Sequence, residues 1–155
     1  MKYFSIRELT KSMNAVKRGI DNTPNAEQRQ SLIDLVEHVL DPLRERWGAP
    51  IIVSSGFRNP TVNRLAGGGA NSQHLKGEAA DIHTVSDSRS DNMRLLRSLL
   101  SSDIEFDNVI AENVDSYGRP DWIHVSFTTK RKNRKLKTTM RKVNGKTKYT
   151  NGIKV

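Results

Sequence analysis

The run Trp122-Ile123-His124-Val125-Ser126-Phe127 places Ile123, Val125 and Phe127 at every second position. A period of two sends successive side chains to opposite faces of a sheet, so this run reads as a strand with one buried face. Three other short runs read the same way: PIIVSS at 50–55, EAADIHTV at 78–85 and NVIAENV at 108–114. Helical spacing dominates before them. In NTPNAEQRQSLIDLVEHVLDPLRERWG, residues 22–48, Leu32, Val36, Leu40, Leu43 and Trp47 share one helical face, Gly48 ends the pattern, and Pro42 predicts a kink. A short helix is expected near SIRELTKSM at 5–13 and another over SDSRSDNMRLLRSLLSS at 86–102, with Met93, Leu96, Leu99 and Leu100 inward. Residues 56–74 read as a turn, a short helix and a glycine-rich loop. Early helices followed by clustered strands predict an α+β domain with a small, mainly antiparallel sheet flanked by helices.

Charge divides the chain unevenly. Its 155 residues carry 26 Lys or Arg against 17 Asp or Glu, a net +9. Residues 130–155 hold eleven of the basic side chains and no acidic one, leaving fifteen against seventeen in the rest. We therefore separate a domain at 1–129 from a basic C-terminal segment at 130–155, attached to that domain. Asn144-Gly145 between two strand-like runs predicts a hairpin there. The segment invites contact with a polyanion. Nucleic acid is disfavoured as a partner, because the body is slightly acidic and Tyr149 is the segment's one aromatic residue. No run is long and apolar enough for a membrane span or a signal peptide. The expectation is a monomer made in the cytoplasm.

There is no cysteine, so a metal can be held only by His, Asp or Glu. The stretch SQHLKGEAADIHTV at 72–85 supplies His74 at a loop end and Asp81 on a strand, and His124 lies on the last of the four strands. Two imidazoles and a carboxylate leave a position open on zinc, the catalytic arrangement, and could also hold iron(II). Asp121, just after Pro120, is the candidate general base, provided the turn re-aims it, since three residues along a strand lead to the opposite face. Arg58, after a strand and a glycine, is the candidate oxyanion donor. Ser72 and Gln73 are candidate hydrogen-bonding groups for substrate. His83 is read as a rim residue and His38 as an ordinary helix residue.

These residues carry a resemblance. The pattern Ser72-Gln-His74-Leu-Lys-Gly77-Glu-Ala79-Ala-Asp81, followed by Asp121-Trp-Ile-His124, resembles the zinc D-alanyl-D-alanine carboxypeptidases and L-alanyl-D-glutamate endopeptidases of bacterial cell-wall peptides, which share a fold with the hedgehog signalling domain. Ser55-Gly56-Phe57-Arg58, with Asn63 beyond it, matches a further segment of that family. The resemblance covers about residues 1–128. It implies Zn2+ on His74, Asp81 and His124, Asp121 as base, Arg58 at the carbonyl, and peptidoglycan peptide as substrate. An Asp in the base position and the lack of a signal peptide resemble phage lysins, which implies action at the cell wall or periplasm only once the protein is released. Carboxypeptidase and endopeptidase activity both remain open, and a non-catalytic zinc-containing binding module is the alternative.

Overall fold

Asn25 opens the long helical stretch by a reciprocal cap: its side chain accepts from the Gln28 N–H, and the Gln28 side chain accepts from the Asn25 N–H. In the computed structural model, which describes all 155 residues, helices α1 (Ile6–Thr10) and α2 (Met13–Arg18) come first. Two helices replace the single one expected near SIRELTKSM because Lys11 is extended and Ser12 caps afresh. Next come α3 (Ala26–Leu35), a π-helical turn at Val36–Leu40 and α4 (Asp41–Trp47). The wide turn falls just before Pro42, whose ring and missing N–H disturb the preceding turn of a regular helix. Gly48 ends α4 in the left-handed region at φ 77°.

The rest begins with strands alternating with helices and ends in four strands in succession: β1 (Ile51–Ser55), α5 (Pro60–Leu65), a 3-10 turn at Gln73–Lys76, β2 (Ala79–Thr84), α6 (Arg89–Leu100), β3 (Asn108–Glu112), β4 (Trp122–Ser126), β5 (Leu136–Val143) and β6 (Lys146–Asn151). The strands form one sheet in the order β1-β2-β4-β3-β5-β6. Every neighbouring pair is antiparallel except β3 with β5. The fold is α+β with a mostly antiparallel sheet.

Register assigns the two faces. Ala80, Ile82, Val109, Ala111, Ile123 and Val125 are fully buried and join a core with Leu32, Leu35, Val36, Val39, Leu40 and Leu43 of the long helical stretch and Leu95, Leu96 and Leu99 of α6. The residues between them face the other way. Asp81 pairs with Ser55 and His124, and His124 pairs with Ile110, so one row across four strands stands on the open face.

Residues 136–151 extend that sheet. Asn144 at φ 52° and Gly145 at φ 75° form the turn between β5 and β6, two left-handed residues in series as a tight hairpin requires. The hairpin is tied at its base. The Asp107 side chain, fully out of solvent, accepts from Arg131 at 2.7 and 3.0 Å and from Arg134 at 2.8 and 3.0 Å. Burial pushes the Asp107 carboxyl up, but these hydrogen bonds outweigh it and hold the group well below the usual carboxylate range.

Candidate functional site

Gly77 sets the local path. Its φ is +73°, and a Cβ there would lie 2.4 Å from the Gln28 carbonyl oxygen. Only glycine lets the 3-10 turn approach α3 this closely. The turn carries His74, whose N–H is accepted by the Ser72 hydroxyl. The His74 ring is buried and its Nδ1 lies 2.7 Å from the Gly56 carbonyl oxygen. A carbonyl can only accept, so Nδ1 holds the proton and Nε2 presents its lone pair. That Nε2 lies 3.4 Å from Asp81 Oδ1. From the neighbouring strand, His124 Nδ1 lies 3.2 Å from the same oxygen. One ligand atom from each of the three residues falls within 4.8 Å of the others.

This donor set fits a divalent metal. Zinc ligands at about 2.0–2.1 Å in a tetrahedron are about 3.4 Å apart, close to the two separations found here. Burial pushes His74 toward the neutral form a ligand requires, against the pull of Asp81. Asp81 is pushed up by burial, but the His74 and His124 rings beside it overcome that and leave it ionised. Arg58 donates to Asp81 Oδ2 at 3.1 Å and to the Ser55 hydroxyl at 2.8 Å, which fixes the carboxylate from behind.

Asp121 does not join this group. Its backbone N–H donates to the Glu112 carbonyl at 2.9 Å, so ladder pairing runs through it and Pro120 does not re-aim it. The pleat therefore puts its side chain on the helix side of the sheet, where it accepts from Asn113 Nδ2 at 3.2 Å and lies 3.9 Å from Arg89 of α6. A further carboxylate on the open face beside Asp81 is Glu112, two residues beyond Ile110 on β3 and therefore in the row next to His124. It is 8% exposed and makes no hydrogen bond or ion pair with the chain. Burial is the largest influence on its carboxyl. Asp81 adds to that, His124 and Arg58 oppose it, and the result is raised to about 7. The signal for Glu112 was present in the alternation Asn108, Ile110, Glu112, which becomes informative only once β3 is known to lie beside β4.

Arg58, Ser72, Gln73, His74, Asp81, Glu112 and His124 line one cleft of about 760 Å³. The Ser72 hydroxyl is used in part by His74 N–H, and the Gln73 amide reaches Glu78 at 3.4 Å. His83 is not in the cleft; its ring faces the Thr84 carbonyl and Asp87. His38 stacks on Phe127 with ring centroids 4.7 Å apart.

The fold and this donor set define a metallopeptidase-like domain. A family model described as Peptidase M15 matches residues 2–126, most of the chain, and the chain belongs to that family of metallopeptidases. A search of curated proteins finds no match. No helix is long and apolar enough to cross a membrane.

Proposed function

We propose that the chain hydrolyses peptide bonds in bacterial peptidoglycan, with Zn2+ held by His74 Nε2, Asp81 and His124 Nδ1. The observation that supports this most is a buried, unpartnered carboxyl, Glu112, in the same cleft as three metal-ligating atoms. His74, Asp81 and His124 would hold a divalent cation there, which would supply polarisation of a carbonyl and acidification of water. The chain's own residues do the rest. Glu112, a carboxyl in the cleft that no other side chain engages, takes a proton from the attacking water and returns it to the leaving amine. Arg58 keeps Asp81 in place and adds positive charge at the side of the cleft where the carbonyl oxygen turns negative. Ser72 and Gln73 donate hydrogen bonds to substrate backbone. Asp121 acts at one remove, holding Asn113 in its left-handed conformation at φ 48° and so fixing the end of β3 that carries Glu112.

Carboxypeptidases close a pocket behind the scissile bond. Here the cleft is lined from Gly67–Gly69, which precede β2 in the chain, to Lys142 and Tyr149 on β5 and β6, and we take cleavage of an internal bond, an endopeptidase, as the reading to test. Digestion of purified peptidoglycan by the zinc-loaded chain, with fragments identified by mass, tests the reading. New amino termini inside the stem peptide are expected, and release of terminal D-alanine alone would restore the carboxypeptidase. Zinc binding without any hydrolysis would instead mark a binding module. In the same assay Glu112→Gln should lose about 100-fold or more, the scale of a general base, with zinc retained. Asp121→Asn should cost less than about tenfold. The reverse order would return the base to Asp121.

A further inference from the structure

The hairpin that follows the family-matched residues 2–126 forms one wall of the cleft. Docking β5 beside β3 carries the open face of the sheet onward from Asp81, His124 and Glu112 to Met140 and Lys142. On β6, Tyr149 stands opposite Met140 and Thr147 opposite Lys142, and all four line the cleft.

The charges around the cleft are mostly satisfied. Arg58 pairs with Asp81, Lys130 with Glu27, and Arg131 and Arg134 with Asp107. Lys142 is the exception on the hairpin wall, with no carboxylate within ion-pair distance. Its wall cannot supply one, since residues 130–155 contain no Asp or Glu. Lys76, on the turn that carries His74, is the cleft's other unpaired cation. Tyr149 is 59% exposed, a flat aromatic face turned to the cleft rather than into the core. An unpaired ammonium beside an exposed ring suits a peptide that brings its own carboxylate: the charge is met by Lys142, and the backbone lies across the ring.

We propose that Lys142 and Tyr149 form a subsite for a carboxylate-bearing residue of the substrate, so that the C-terminal hairpin selects acidic peptides for the site on β2, β3 and β4. This rests on the peptidase reading for its substrate but concerns residues outside the family match.

The test uses the full-length chain and two synthetic stem peptides, L-Ala-γ-D-Glu-L-Lys-D-Ala-D-Ala with a free α-carboxylate on the glutamyl residue, and the same peptide with that group as carboxamide. Binding is measured by calorimetry with the metal chelated, so nothing is cleaved, and KM and kcat are measured with zinc restored. The free acid should bind at least about tenfold more tightly than the amide. Lys142→Gln should bring the two within about twofold, raising KM for the acid while leaving kcat nearly unchanged. Tyr149→Ala should weaken both peptides. Lys154→Gln, which alters an exposed lysine outside the cleft, should change neither. Equal binding of acid and amide by the native chain, absence of binding, or a preference that survives Lys142→Gln would overturn the subsite. Preference in binding without hydrolysis of either peptide would overturn the peptidase reading and leave the subsite standing; hydrolysis with equal binding would do the reverse.

Discussion

Glu112 is held in an environment that disfavours its own charge, and this couples function to stability. Its carboxyl titrates near 7 in the folded chain against an ordinary 4.5. A raised acid favours the fold while protonated. Its contribution is present below the unfolded value and is lost as pH rises through about 7. In the metal-free protein this group should therefore cost up to about 3 kcal/mol as pH rises from about 4.5 to about 7, at 1.36 kcal/mol per pH unit, against an opposite gain from His74, which burial holds neutral. Glu112→Gln should flatten that loss while removing activity. Chemical denaturation of both proteins in chelator across this range checks it, and parallel pH dependence in the two would show that Glu112 is not the source. At the same scale, Gly77→Ala combines a left-handed φ with a Cβ 2.4 Å from the Gln28 carbonyl oxygen. A destabilisation of about 2–4 kcal/mol is expected, together with weaker zinc binding, because His74 rides on the same turn. Thermal melts and metal titration of the variant measure the two effects.

Among the elements, the β5–β6 hairpin belongs to the sheet through its pairing with β3 and through Asp107. Asp107→Asn leaves two guanidinium groups without a counter-charge and weakens hydrogen bonds to charged donors, each worth about 1.5–3 kcal/mol. A loss of about 2–4 kcal/mol is expected, less than the sum of the bonds because both arginines are half exposed. Hydrogen exchange should show the loss first in β5 and β6. Uniform loss across the domain would mean that the hairpin does not open separately. A chain ending at Thr129 would expose the whole edge of β3 and the face under Met140, so self-association at low concentration is expected, readable by light scattering.

For the whole molecule, part of the excess charge is carried on the hairpin, whose residues 136–151 hold five Lys or Arg and no acidic residue. Lys142 is on the cleft side. Arg141 and Lys148 lie directly opposite one another on the other side, an arrangement of like charges that costs stability in a sheet. If the chain acts on cell walls as proposed, a surface like this should attract an anionic wall, and ionic strength should tune the attraction. Sedimentation with purified walls should show bound protein falling steeply between about 50 and 300 mM salt. Arg141→Glu with Lys148→Glu should weaken wall binding several-fold and leave hydrolysis of a soluble stem peptide unaltered. Salt-independent binding would remove the electrostatic reading.

Features set by local pattern were legible from the residues alone. The period of two at 122–127 and the helical spacing of Leu32, Val36, Leu40 and Leu43 each point to one element type, and Asn144-Gly145 to one turn, because backbone sterics and side-chain spacing act over a few residues. The spacing of His74 and Asp81 across Gly77 was legible for the same reason. Which strands become neighbours, and so which side chains meet, is decided by packing over the whole chain. Asp121 and Glu112 show the difference. Both are carboxylates at the β3–β4 end of the sheet, one three residues before His124 in the chain and one distant from it. Only the antiparallel register of β3 on β4, with the pleat's alternation, turns Asp121 toward α6 and Glu112 into the cleft. The parallel docking of β5 on β3 likewise decides that a basic segment becomes a wall of the site, since strand pairing is a long-range choice made by burial and backbone hydrogen bonding rather than by the residues of the hairpin alone.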